Sequence, residues 1–167
     1  MNCFKSNGKF MLTGEYLVLK GAVALALPLK LGQSMNVETL NSDKGKIYWN
    51  AYIMSTRQHV NKTTDAESWF SVVLDKNDFS VKESDDYEKA KRLSDILSKV
   101  KSLNEDIFND SHDYRFSTLL DFDSQWGLGS SSTLISNISE WADINPYLLL
   151  DSTFKGSGYD IACAKAE

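Results

Sequence analysis

The sequence predicts an α+β fold, and three observations predict it. The first third is a series of short apolar or alternating runs separated by turn signals. A long segment with three- and four-residue apolar spacing follows at residues 87–103. One further alternating run then leads into helical segments that continue to the C-terminus. The chain has 167 residues with 42% hydrophobic content, enough for the core of one ordinary domain, which excludes an intrinsically disordered chain. Two prolines and nine glycines exclude collagen-like and low-complexity classes.

The elements follow in order. Residues 15–19 (Glu-Tyr-Leu-Val-Leu) and 22–27 (Ala-Val-Ala-Leu-Ala-Leu) read as short strands around the turn signal Lys20-Gly21. Residues 33–40 alternate, with Met35 and Val37 among polar neighbours, and residues 46–53 follow the turn Ser42-Asp43-Lys44-Gly45. Residues 33–53 therefore read as a β-hairpin. Trp69 to Leu74 and Phe79 to Val81 read as two strands about a turn at Lys76-Asn77-Asp78. The polar residues 55–68 read as an exposed loop. In the helical segment Tyr87, Ala90, Leu93, Ile96, Leu97, Val100 and Leu103 share one face, which fits a helix packed against the sheet. Asp85, three residues before Glu88, fits a capping box. Tyr114, Phe116, Thr118, Leu120 and Phe122 share one face of a strand. Residues 130–142 read as a helix, Asn145 and Pro146 open a short one, and residues 157–167 form a last one with no stop signal. There is no internal repeat and no Pro- or Ser-rich linker.

The formal net charge of −5 argues against a nucleic-acid partner but leaves an anionic substrate open, since helix N-termini can hold phosphate. Cys3 and Cys163 are too few for a disulfide scaffold. The longest apolar stretch, Gly21 to Leu29, is too short to span a bilayer. With Lys9, Glu15 and Lys20 upstream it reads as buried structure in a cytoplasmic protein with no membrane partner. His59 and His112 have no neighbour at metal-ligand spacing.

The most informative segment is Trp126-Gly127-Leu128-Gly129-Ser130-Ser131-Ser132, between a predicted strand and a predicted helix. Gly127 and Gly129 let the backbone approach a ligand, and the helix beyond them offers unpaired N–H groups and a partial positive charge. That arrangement suits a phosphate, and so does a plain turn capped by a serine. It is not a Walker loop, because no Gly-Lys-Ser/Thr follows at the required spacing. Two other segments stand out: Gly8-Lys9-Phe10-Met11-Leu12-Thr13-Gly14-Glu15-Tyr16, and Gly156-Ser157-Gly158-Tyr159-Asp160-Ile161-Ala162.

Together, in this order, the three segments resemble the GHMP family of small-molecule kinases, which includes galactokinase, homoserine kinase, mevalonate kinase and phosphomevalonate kinase. Lys9 to Leu19 is similar to the family's first motif, and Gly127 to Ser131 to the core of its ATP phosphate loop. Ser157 to Asp160 is similar to the segment that carries the catalytic aspartate in mevalonate kinases. Within the family, Gly156 to Ala162 is most similar to the Gly-Ser-Gly-Phe-Asp-Val-Ala segment of phosphomevalonate kinases. Two departures stand in the loop: no proline lies among Asp123 to Trp126, and Ser132 replaces the common alanine.

The resemblance implies a GHMP-kinase N-terminal domain (ribosomal protein S5 domain 2-like), a mixed β-sheet with packed helices, spanning residues 1–167, with the family's C-terminal domain absent. It implies ATP-dependent phosphoryl transfer to mevalonate or phosphomevalonate, with ATP and Mg²⁺ as cofactors. Gly127, Leu128 and Gly129 would present backbone N–H groups to the phosphates, beside Ser130, Ser131 and Ser132, and Ser131 (or Ser130) would ligate Mg²⁺. Asp160 would serve the acceptor, as base for an alcohol or by orienting Lys9 for a phosphate, and Lys9 would stabilise developing charge. Asp151 is the nearest acidic candidate for Mg²⁺, at an ill-fitting spacing, and reads more simply as a solvated helix residue. Tyr16 and Trp126 could flank a ligand but read more simply as core. The other readings are a sugar or homoserine kinase, a diphosphomevalonate decarboxylase, and a non-catalytic half-kinase that binds nucleotide or a partner. The last helix is expected to leave Ile161, Ala162 and Ala164 uncovered. The isolated chain is expected to lack activity and to associate with itself or with the missing half.

Overall fold

The computed structural model describes residues 2–14, 17–54, 66–154 and 158–166. Six strands form one sheet: β1 (Asn2–Thr13), β2 (Leu25–Leu40), β3 (Lys46–Met54), β4 (Ala66–Asp75), β5 (Val81–Ser84) and β6 (Asp113–Leu120). Four helices accompany them: α1 (Tyr87–Leu103), α2 (Ser130–Trp141), α3 (Pro146–Thr153) and α4 (Tyr159–Ala164). The α+β expectation holds.

The strand order is β1-β2-β6-β3-β4-β5, with β6 antiparallel to β2 and parallel to β3. Alternation sends Met35, Val37, Ile47, Trp49, Ala51, Phe70, Val72, Leu74 and Phe116 to one face. The helices cover that face with Leu93, Ile96 and Leu97 of α1, Ile135 and Ile138 of α2, Leu149 of α3 and Ile161 of α4. Trp49 stacks on Phe116 at 4.8 Å, and Trp141 meets the same ring edge-on at 4.9 Å.

The hairpin expected over residues 33–53 does not form. Both strands exist, but β6 lies between them. Asp113, at the start of β6, is the reason. Its carboxylate accepts from the Lys44 and Lys46 N–H groups and the Ser42 hydroxyl, and its own N–H donates to the Ser42 carbonyl. The turn signal at 42–45 is therefore real, but it is spent on a third strand rather than on closing two neighbours.

Other expectations shift for local reasons. Residues 17–21 form a turn around a short 3₁₀ helix (Val18–Lys20) rather than a strand, because the Gly14 carbonyl accepts from both Leu17 and Val18. Residues 15–16 lie outside the described residues. β1, which was not expected as a strand, pairs along its length with β2. Of the loop expected at 55–68, residues 55–65 lie outside the described residues and 66–68 belong to β4. The cap of α1 is Asp86, which accepts from Lys89 N–H, while Asp85 binds the Ser71 N–H. The Asn145–Pro146 start of α3 is as expected. The last helix spans only Tyr159–Ala164, with residues 157 and 167 outside the described set, and Ile161 and Ala164 are buried against the fold. Only Ala162 of that expected patch is exposed.

The exposed apolar surface lies elsewhere. β6 pairs with β2 only from Gln33 onward, so the paired parts of β1 and β2 around Phe10 and Leu27 project beyond the six-stranded sheet as a ribbon. Phe10, Leu12, Leu25, Leu27 and Leu31 are exposed there, and Val23 beside it is 96% exposed. The stretch Gly21–Leu29 is thus not the buried structure its composition suggests, because no further layer covers the ribbon within the described residues.

Candidate active site

β1 delivers Lys9 to the point where the three motifs meet. Its N–H donates to the Leu128 carbonyl at 2.9 Å, which ties the strand to the glycine loop. Its side chain, only 8% exposed, runs against the loop: a β-carbon at Gly129 would lie 3.2 Å from Lys9 Cγ. Its ammonium donates to the Tyr159 hydroxyl at 3.1 Å and lies 3.4 Å from Asp160 Oδ1. It also sits 5.1 Å from the centre of the Tyr159 ring. Residues more than a hundred positions apart thus converge on one cation.

The loop takes its shape from local chemistry. Asp123 accepts from Gln125 N–H and opens a 3₁₀ turn, Ser124–Trp126. Gly127 (φ 69°) and Gly129 (φ 87°) then carry the chain through the left-handed region, which glycine enters without a steric penalty. Gly129 is the N-cap of α2, and no side chain among the described residues caps that first turn. Its N–H groups are left for a ligand or solvent. Ser131 is exposed and Ser130 partly so, whereas Ser132 is buried. Trp126 is 54% exposed and is not a core residue. Asp151 is exposed on α3. Glu15, Tyr16, Gly156 and Ser157 lie outside the described residues.

α2 is held at this height by polar groups on its buried side. Asn137 Nδ2 donates to the Gln33 carbonyl at 2.9 Å. Ser6 Oγ lies 2.8 Å from both Ser136 Oγ and Asn137 Oδ1. Thr133 Oγ1 joins the Ser130 carbonyl (2.8 Å) to Gln33 Oε1 (3.0 Å), linking the loop to β2. Buried polar groups satisfied in this way fix one position of a helix more sharply than apolar contact does.

Charge is distributed to match. Burial pulls the Lys9 pKa down, but the Tyr159 hydrogen bond and the Asp160 charge outweigh it, so Lys9 titrates above its ordinary value and stays cationic. Burial, reinforced by Asp160, raises Tyr159 despite Lys9, so its hydroxyl keeps its proton. Asp160 Oδ1 is buried and has no hydrogen-bond partner among the described residues, the ammonium at 3.4 Å being an ion pair without hydrogen-bond geometry.

Next to the α2 N-terminus is a pocket of about 140 Å³ lined by Trp49, Trp69, Lys89, Arg92, Ser131 and Phe154, among others. The Lys89 ammonium stands 4.9 Å over the Trp69 ring, and the buried Trp69 Nε1 has no partner among the described residues. Larger clefts line the open sheet face at Tyr48, Asn50 and Arg115 and the end of α1, and no motif residue lines them. Sequence reasoning missed Trp69, Lys89 and Arg92, which lie far from the loop in the chain and carry no spacing signal. It also missed the Tyr159 hydroxyl, although the phenylalanine in the related segment marks it as a difference. Among the described residues no group of three His, Cys, Asp or Glu side chains could hold a metal, and no helix is long and apolar enough to cross a membrane.

No protein-family model and no curated protein matches the chain in sequence. Solved structures do match in fold. Mevalonate kinase from Methanococcus jannaschii matches with TM-score 0.60 at 13% identity, over 90% of this chain and 46% of that one. Phosphomevalonate kinase from Streptococcus pneumoniae, in complex with phosphomevalonate and AMPPNP, matches with TM-score 0.59 at 14% identity, over 98% and 47%. Galactokinase from Lactococcus lactis, complexed with galactose, matches with TM-score 0.61 at 13% identity, over 95% and 38%. The fold is that of these kinases, and the chain spans less than half their length. Scores of 0.59 to 0.61 do not rank a mevalonate-type relative above a sugar-type one.

Proposed function

We propose that this chain carries the ATP-binding side of a GHMP-type kinase site, which transfers the γ-phosphoryl group of ATP to a small-molecule acceptor. The observation that carries this reading is the convergence of all three motifs on Lys9. In phosphoryl transfer the protein mainly positions the reactants and stabilises charge, and these residues are suited to both tasks. The uncapped N–H groups at Gly129 to Ser131 receive the phosphate oxygens. Ser131 (or Ser130) offers an exposed hydroxyl oxygen, the donor Mg²⁺ prefers, and the ion when bound neutralises phosphate charge. The pocket beside the loop takes the base between aromatic walls, with Trp69 Nε1 as an available donor.

For an alcohol acceptor, the hydroxyl oxygen forms a bond to the γ-phosphorus while the bond from that phosphorus to the bridging oxygen breaks. ADP leaves with the electron pair, and the hydroxyl proton passes to Asp160. Lys9 stabilises the negative charge that develops. The Gly158-to-Ala162 segment supports an acceptor of the mevalonate pathway, mevalonate or phosphomevalonate. A sugar alcohol is the second reading, supported by the equal likeness to galactokinase.

The test is calorimetric titration of Mg·ATP into the wild-type chain and Gly129→Val. Valine cannot adopt this backbone conformation without strain, and its side chain would press on Lys9, so binding is expected to be lost. Equal affinity in the two forms removes the loop from the reading. A coupled ADP-release screen of the active enzyme with mevalonate, phosphomevalonate and galactose then separates the acceptors.

A further inference from the structure

Buried Lys9 and half-buried Asp160 form an ion pair that is looser than a charge-assisted hydrogen bond. Charge-assisted N–H···O bonds close to about 2.7–2.9 Å, yet this pair stands at 3.4 Å. A third group holds the ammonium: Lys9 donates to the Tyr159 hydroxyl at 3.1 Å, and the Tyr159 ring lies 5.1 Å from the same nitrogen. The consequence falls on Asp160, whose buried Oδ1 is left without a hydrogen bond. Tyr159 is itself fixed in place. It is the first residue of α4, after Gly158 (φ 85°), and a β-carbon at Gly158 would lie 3.1 Å from the Tyr147 ring.

We infer that Tyr159 is a positioning residue: by taking one hydrogen of the Lys9 ammonium it holds the Lys9–Asp160 pair open, so that the Asp160 carboxylate is not locked onto the ammonium and can turn toward the hydroxyl of an acceptor. This goes beyond the motif assignment, in which the position before the aspartate carries no role, and its catalytic consequence rests on the kinase reading above. An ammonium has donors only, so the Tyr159 oxygen is the acceptor in that bond. Phenylalanine at 159 keeps the ring and its attraction for the cation but removes this oxygen. Without it, the flexible end of Lys9 has one strong partner left and closes on Asp160. The carboxylate is then locked against the ammonium and no longer turns toward the acceptor.

The experiment compares wild type with Tyr159→Phe in two measurements. The first is the geometry of the pair in this chain, read from crystal structures of both forms. The Lys9 Nζ to Asp160 oxygen distance is expected to shorten to about 2.8 Å in the variant. A distance unchanged from wild type overturns the inference, whatever the protein catalyses. The second is steady-state transfer from ATP to an alcohol acceptor in the active enzyme. Turnover in Tyr159→Phe is expected to fall about tenfold or more, with KM for ATP and the melting temperature unchanged. In an Asp160→Asn background the same change should cost nothing further, because Tyr159 acts through the pair. A tenfold loss that persists in that background shows an independent contact and overturns the inference. Absence of transfer in every form counts against the kinase reading, and the distance still decides whether Tyr159 holds the pair open. If Tyr159→Phe does not fold, Tyr159→Leu removes the oxygen and the ring together, and an unchanged Lys9–Asp160 distance there overturns the inference as well.

Discussion

Two lysines are buried toward opposite ends of β6, and their ammonium groups are partnered differently. Lys9 and Lys76 are 7% and 6% exposed. Lys76 donates to the backbone carbonyls of Asp110 (2.5 Å) and His112 (2.7 Å) and pairs with the Asp110 carboxylate at 3.5 Å. Those bonds pin the loop that leads into β6 to the end of β4. Lys9 has one hydrogen bond to a hydroxyl, an ion pair at 3.4 Å, and beside it an unsatisfied carboxylate oxygen. A structural lysine closes its own donors on carbonyls. Lys9 instead stands among groups left incomplete, which is the arrangement the proposed phosphoryl-transfer site requires of it.

The largest effect that separates the two ends is on chemistry. In the proposed reaction Asp160→Asn removes the group that would take the acceptor proton. Turnover is expected to drop by about 10²- to 10⁴-fold, with little change in KM for ATP. Rapid-quench measurement of ADP formation reads this. Turnover at the wild-type level takes Asp160 out of the site and makes the Lys9 end as structural as the Lys76 end.

The next effect falls at the other end. Lys76→Met leaves two carbonyls without their charged donor and is expected to cost about 2–3 kcal/mol of stability. The surface-facing ion pair with Asp110 adds little to that. Urea titration gives the loss, while Mg·ATP affinity of the folded variant should match wild type. If ATP affinity falls with stability, the two ends are coupled and the contrast between them fails.

The smallest effect is one of pH. Lys9 titrates above its ordinary 10.5 and Tyr159 above its ordinary 10.0. Burial and the Asp110 carboxylate also raise Tyr114, at the Lys76 end. In all three the fold favours the protonated form. Their contribution is therefore complete below about pH 10 and lost as pH rises through the folded-state values. Stability measured by urea unfolding should stay level for these groups through neutral pH and fall in strong alkali. Because the Lys9 ammonium also holds Tyr159 down, the two are removed together: in Lys9→Met combined with Tyr159→Phe the alkaline fall should be shallower, since two of the three groups are gone. An identical fall in both forms would show that the Lys9 pairing does not stabilise the fold.

What was legible in the sequence tracks how local the determinants are. The helix at 87–103 was legible because its apolar spacing is a property of a single segment, and its cap was misplaced by one residue because Asp85 found a partner on β4. The loop was legible because glycines and serines between a strand and a helix describe their own geometry. The hairpin was not, since a turn signal fixes where the chain reverses and not which strand fills the space beside it. The ribbon at Phe10 to Leu31 was misjudged as buried because apolar composition does not say whether a covering layer exists.

The sequence by itself determined the α+β class, most of the elements and the three motif segments, through periodicity, turn chemistry and resemblance. Only the tertiary structure decided that β6 enters between β2 and β3, because Asp113 draws three groups of one turn onto its carboxylate. It also decided that Lys9 passes beneath Gly129 to reach Tyr159 and Asp160. Those meetings join residues up to 151 positions apart, and no local preference encodes a contact at that separation. The sheet supplies it, by fixing β1 and the ends of α2 and α4 in one place.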